Sequence, residues 1–236
     1  MNLVIEPVAP TTLPVAGGGS FPVQRVFCVG RNYAEHAVEM GHTGREPPFF
    51  FMKPADAVVP VAEGETGVID YPALTANLHH EIELVVAIGT GGRDIRAADA
   101  PAHIYGYAIG LDMTRRDLQN EMKKQGRPWE IGKAFEQSAP VGPVVPKAKT
   151  GELLKGPITL EVNGVLKQNG DLADLIWTVN ETIEQLSAGW TLRPGDLIFT
   201  GTPAGVGAVV RGDVMAGAVA GLGTLKVAVR REPVQI

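Results

Sequence analysis

Apolar residues along this chain fall in short runs broken by glycine, proline and polar clusters, a pattern of many brief strands with few helices. Arg25 to Val29 reads as one strand, and Phe49 to Met52 as another that ends at Lys53-Pro54. Between His79 and Val86 the side chains alternate, so that Ile82, Leu84 and Val86 share one side while Glu81 and Glu83 share the other. A further apolar run, His103 to Leu111, ends at Asp112. In the second half, strands are expected at Ile158 to Val162, across an Asn163-Gly164 hairpin turn to Lys167, at Leu197 to Thr200, and at Leu225 to Val229. Helical spacing is confined to three stretches. Tyr33 to Met40 follows Asn32 as N-cap and stops at Gly41; Thr114 and Asp117 are spaced as a capping box for a helix reaching Lys124; Val179 to Leu186 makes the third.

Composition supports the same picture, because 29 Gly and 18 Pro spread along 236 residues imply many turns. Residues 1–24, with Pro7, Pro10, Pro14 and Gly17-Gly18-Gly19, are expected to form an irregular N-terminal arm. Residues 25–236 show no repeat and no linker-like break, so a single catalytic domain of mixed, β-rich class is expected there. Hydrophobic residues at 44% and charged ones at 20% exclude general disorder. The net charge of −5, with no basic run longer than Arg115-Arg116 or Lys123-Lys124, argues against nucleic acid as a partner. Cys28 is alone and cannot pair internally. No apolar run approaches the ~20 residues of a membrane span and no leader pattern is seen, so a cytoplasmic protein without a membrane partner is expected.

The candidate chemistry lies around the alternating strand. Two carboxylates side by side repel, and an apolar strand gains from them only if a cation or a shared proton sits between. With Asp112 they make three hard oxygen donors and no neighbouring cysteine, which suits Mg²⁺, Mn²⁺ or Ca²⁺ better than zinc. The same alternation also describes the solvated face of a half-buried strand, and spacing alone leaves both readings open. His36 and Glu39 lie three apart on the expected helix, as Arg116 and Gln119 do just after Asp112, so each pair shares a helix face.

Five segments in order carry a family resemblance: Gly30-Arg31-Asn32-Tyr33 with His36, then Glu81-Ile82-Glu83, then Asp112 with Arg116 and Gln119, then Gly132-Lys133, then Thr200-Gly201-Thr202-Pro203. Together they resemble the fumarylacetoacetate hydrolase superfamily, most closely the fumarylpyruvate hydrolases of gentisate breakdown, over nearly all of the chain after residue 24. The resemblance implies a fumarylacetoacetate hydrolase-like β-roll with short helices, a homodimer, and a divalent metal, Mg²⁺ first and Mn²⁺ or Ca²⁺ next, on Glu81, Glu83 and Asp112. It also implies His36 and Glu39 as a catalytic dyad joined by Lys133, with Arg116, Gln119, Thr202 and Arg31 on a small 2-oxo acid substrate.

On that reading the reaction cleaves a carbon-carbon bond of a 2,4-diketo acid. The substrate offers a carboxylate and a 2-oxo oxygen for chelation; His36, oriented by Glu39, takes a proton from the water that attacks C4, and Lys133 steadies the oxyanion. The segment Tyr33 to Gly41 is expected to act as a lid. Hydrolysis of simpler acylpyruvates and decarboxylation of oxaloacetate use the same constellation. A metal-stabilised binding domain without catalysis is the remaining alternative.

Overall fold

The computed structural model describes residues 3–33 and 45–231. His36, Glu39 and, apart from Tyr33, the segment expected as a helical lid lie outside the described residues.

The Ile82–Ile88 strand is buried along its whole length. Ile82, Leu84, Val86 and Ile88 join a core with Ile158, Leu160 and Met215. On the opposite face Val85 and Ala87 pack with Val26, Cys28, Leu197 and Phe199. The alternation therefore separates two apolar cores, and neither side of this strand is a solvated face. Among the described residues the strand lies inside a sheet ordered Phe49–Lys53, Arg25–Gly30, Asp196–Phe199, Ile82–Ile88, Ile104–Leu111, Ala139–Val141, Val58–Pro60. A five-stranded sheet, Val165–Asp171, Pro157–Val162, Val214–Val219, Gly223–Val229 and Thr66–Ile69, closes the first core from the other side. The result is the curled, β-rich architecture with short helices that the patterning implies.

A small sheet of Thr114–Arg115, Leu78–His80 and Gly207–Val209 pairs Thr114 with His79 and His80 with Gly207. It fixes the ends of the two chain segments that carry the acidic residues. The expected hairpin forms at Asn163 and Gly164, whose φ angles of 52° and 77° are those of a tight turn between antiparallel strands. The Val179–Gly189 helix starts with a reciprocal capping box between Thr178 and Glu181.

Several local expectations are corrected. Thr114 and Asp117 form no capping box: Thr114 lies in a strand, and Asp117 accepts from Thr75 Oγ1 at 2.6 Å and from Ala76 N at 3.0 Å. The Arg116–Gln125 helix thus begins without a side-chain cap and stops at Gly126 in the left-handed region. Nor is the stretch before residue 25 irregular throughout, since Thr12–Pro14 pairs with Ser20–Pro22 and buries Leu13 and Phe21 in the second core. Its prolines and glycines shape a small hairpin. Glu81 stands at the junction of two strands that enter different sheets, and Lys133 ends a one-turn helix, Glu130–Lys133.

Candidate active site

Three carboxylates converge where the central sheet meets the small one. Glu81, Glu83 and Asp112 are all buried, and one oxygen from each lies within 4.8 Å of the others. Asp112 is held just past its strand by a bond from its own N–H to Glu81 O at 2.9 Å, which locks the two acidic segments together. Glu83 accepts from Gly201 N at 2.7 Å. Gly201 has a φ of 98°, and a Cβ there would stand 2.8 Å from Asn32 Cβ, so this turn requires glycine on both counts.

Cations surround the carboxylates. Lys133 Nζ donates to Glu81 Oε2 at 2.9 Å, Asp112 Oδ2 at 2.6 Å and Thr114 Oγ1 at 2.7 Å, an acceptor for each of its three protons. Lys53 Nζ lies 2.8 Å from Asp112 Oδ1 and is fully enclosed. That contact is an ion pair without hydrogen-bond alignment, so Asp112 Oδ1 keeps acceptor capacity. Arg116 bonds Glu81 Oε1, Gln119 Oε1 and, at 3.3 Å, His79 Nδ1. Gly132 sits directly on this helix, where a Cβ would come 2.9 Å from Gln119 N; a larger residue would push Lys133 away from its carboxylates.

The charges differ in how well they are met. Burial alone would raise the proton affinity of Glu81, but Lys133 and Arg116 outweigh it and hold this carboxyl well below the usual range. Burial would likewise depress Lys133, yet Asp112 and Glu81 keep its ammonium above its ordinary value. Glu83 behaves oppositely. Burial, then Asp112 and Glu81, push its carboxyl well above the usual range, and no cation touches it among the described residues. An enclosed set of hard oxygens, with one carboxylate lacking a counter-charge and one oxygen lacking a directed donor, fits a divalent cation.

The other sequence-predicted site residues that are described, Arg31, Arg116, Gln119, Lys133 and Thr202, all line the same cavity. Thr202 Oγ1 accepts from Gln168 Nε2 at 2.8 Å, which leaves the hydroxyl proton for another acceptor. Gln168 had no place in the sequence reading. Its Oε1 meets Ile82 N at 3.1 Å and His80 Nδ1 at 2.9 Å, so one buried amide ties the acidic strand to the Thr202 loop. Lys53 also gains a role that spacing did not assign. Asn32, expected as the N-cap of a helix that lies outside the described residues, donates to Thr200 O at 2.8 Å and Trp177 O at 2.9 Å and accepts from Trp177 N at 2.7 Å.

A β-rich fold that encloses three carboxylates among lysines and an arginine is an arrangement suited to a metal-dependent enzyme acting on small anions. Residues 25–230 match the family described as fumarylacetoacetate (FAA) hydrolase C-terminal, and the chain belongs to that family. The crystal structure of fumarylpyruvate hydrolase from Pseudomonas aeruginosa, in complex with Mn²⁺ and pyruvate, is 57% identical, superposes with a TM-score of 0.96, and is matched over 98% of this chain and 100% of that one. Fumarylpyruvate hydrolase from Ralstonia sp is 46% identical over 184 residues, 78% of this chain and 93% of that protein. Oxaloacetate tautomerase FAHD1, mitochondrial, from Homo sapiens is 43% identical over 199 residues, 84% of this chain and 88% of the relative.

Proposed function

We propose that this chain is a metal-dependent hydrolase that cleaves fumarylpyruvate to fumarate and pyruvate. The observation that carries the reading is the buried Glu81, Glu83 and Asp112 cluster, in a chain that is 57% identical to a fumarylpyruvate hydrolase over nearly its whole length. These three residues are assigned as ligands of one divalent cation, Mg²⁺ in the cell. Such a cation supplies Lewis acidity that draws electron density from a chelated 2-oxo acid.

The chain's own groups do the rest. Lys133 and Lys53 fix the carboxylates, since both ammonium groups are committed to them or to backbone carbonyls. Lys133 reaches a developing oxyanion only by releasing an acceptor, and the neutral Thr114 hydroxyl is the weakest of its three. Lys133, and after it Arg116, keep Glu81 ionised, and Arg116 also holds Gln119 at the cavity. Thr202 offers its hydroxyl proton to a substrate carboxylate, and Arg31 lines the same cavity. His36, oriented by Glu39, is assigned as the base that takes a proton from the attacking water, on the motif they share with Gly30 to Tyr33. Residues 25–236 are taken as one catalytic domain of a cytoplasmic homodimer serving gentisate catabolism.

A second reading is oxaloacetate chemistry, favoured by the human relative and by the oxaloacetate decarboxylase, mitochondrial, of Dictyostelium discoideum at 39% identity. Steady-state assays of purified protein with Mg²⁺ on fumarylpyruvate, acetylpyruvate and oxaloacetate separate the two. The highest kcat/KM is expected for fumarylpyruvate, with equal yields of fumarate and pyruvate. A lead for oxaloacetate would overturn the assignment.

A further inference from the structure

Gln168 is fully buried on the Val165–Asp171 strand, and its side-chain amide uses every bonding position it has. Nε2 donates to Thr202 Oγ1 at 2.8 Å and to Pro203 O at 2.9 Å. Oε1 accepts from Ile82 N at 3.1 Å and meets His80 Nδ1 at 2.9 Å. Two of these partners fix the orientation of the amide, because a backbone N–H only donates and a backbone carbonyl only accepts. Ile82 therefore faces the oxygen and Pro203 the nitrogen, and a flipped amide loses both bonds. His80 Nδ1 then carries its proton, and the Thr202 hydroxyl is the acceptor in its contact with Gln168.

That last bond decides what Thr202 presents to a ligand. With one lone pair taken by Gln168, the hydroxyl proton is turned away from the amide, and it goes to no described residue. Thr202 is buried and lines the cavity of the acidic cluster. The residue before it sets its place, since Gly201 N donates to Glu83 Oε2 at 2.7 Å and pins the loop beside the cluster. The loop also sits tightly on the strand that carries Gln168. A Cβ on Gly170 would stand 2.6 Å from Pro203 Cβ, and one on Gly205 would stand 2.1 Å from Lys167 O. In a loop seated this closely, the Gln168 amide sets the hydroxyl rotor. An acceptor in its place would hold the proton, and only lone pairs would face the cavity, which repel a carboxylate.

Resting on the proposed assignment of Thr202 to the substrate carboxylate, we infer that Gln168 is a positioning residue that keeps the Thr202 hydroxyl proton free for the carboxylate of the 2-oxo acid. The competing role is an amide that does no more than hold strands together.

Gln168→Glu separates the two roles. It keeps the size of the side chain and the acceptor for Ile82 N and His80 Nδ1, but places an oxygen opposite Thr202 that claims the hydroxyl proton. Calorimetric affinity of the Mn²⁺-loaded protein for pyruvate is measured for wild type, Thr202→Val, Gln168→Glu and the double variant, with Mn²⁺ affinity and fumarylpyruvate kinetics beside it. Thr202→Val should weaken pyruvate binding about 10-fold, the loss of one hydrogen bond to a charged group, and raise KM more than it lowers kcat. Gln168→Glu should do the same with Mn²⁺ affinity unchanged, and the double variant should bind no worse than Thr202→Val alone. Near wild-type pyruvate affinity in Gln168→Glu, or losses that multiply in the double variant, overturns the inference. Thr202→Ser gives a second reading: without the methyl group the hydroxyl depends on Gln168 for its direction, so affinity close to wild type is expected. A loss in Thr202→Ser as large as in Thr202→Val overturns the inference even if Gln168→Glu fails to fold. A Thr202→Val variant that binds pyruvate normally overturns the Thr202 assignment and the positioning role with it, whereas the substrate reading is judged separately on wild-type activity.

Discussion

Two buried ion clusters in this molecule are built on opposite plans. In the first, Arg25 Nε reaches Asp196 Oδ1 at 2.9 Å, its NH2 reaches Oδ2 at 2.5 Å, and Arg193 N adds a bond to Oδ2 at 2.7 Å. One cation meets one fully enclosed anion through a two-pronged fork, and the pair joins Arg25 to Asp196 at the first step of a parallel strand register. The second cluster crowds Glu81, Glu83 and Asp112 with Lys53, Lys133 and Arg116, and it is not closed: Glu83 touches no cation among the described residues, and Asp112 Oδ1 lacks a directed donor. A satisfied pair specifies where strands lie. An unsatisfied one keeps the capacity to take a cation, and that capacity is what a catalytic metal site requires.

The largest effect is expected where proton transfer is separated from chelation. His36→Ala should lower fumarylpyruvate hydrolysis by ~10²- to 10⁴-fold while leaving Mn²⁺ affinity intact, as judged by steady-state kinetics beside calorimetry. A variant that hydrolyses at near wild-type rate would remove His36 from the mechanism.

Stability should break the comparison cleanly. Asp196→Ala strands a guanidinium that is 25% exposed, and should cost about 2 to 3 kcal/mol, the exposure keeping the loss below that of a fully enclosed charge. Glu83→Gln should not destabilise the metal-free protein. Folding raises this carboxyl above its ordinary value of 4.5, so the native state holds the proton more tightly than the unfolded chain. Stability from this group is therefore present below pH 4.5 and is lost as pH rises through the folded value. Glutamine removes that loss, and urea denaturation of metal-free wild type and Glu83→Gln across pH should show a flatter slope for the variant. Parallel slopes would mean that Glu83 is better compensated than its contacts imply.

Much of this site is legible from local pattern, because the alternation at Glu81 to Val86 and the apolar run ending at Asp112 are short-range signals. The Asn163-Gly164 turn and the Val179 helix are legible for the same reason, each being set by neighbouring residues. What escaped depends on distant partners. Gln168 joins Ile82 and Thr202 across separations of 86 and 34 residues, and Lys53 meets Met113 across 60. A lone Gln or Lys in a strand carries no local sign of such a role. Thr114 and Asp117 misled for the converse reason: their spacing fits a cap, but Lys133 claims the Thr114 hydroxyl and Thr75 claims Asp117.

The central claim is that the unsatisfied cluster binds the metal and the satisfied pair does not. Calorimetric titration of metal-stripped protein with Mn²⁺ tests it most directly, run on wild type, Glu83→Gln and Asp196→Ala under conditions where all three are folded. One Mn²⁺ per chain is predicted for wild type and Asp196→Ala with equal affinity, and a loss of roughly 100-fold or more for Glu83→Gln. Binding in Glu83→Gln as tight as in wild type would contradict the account.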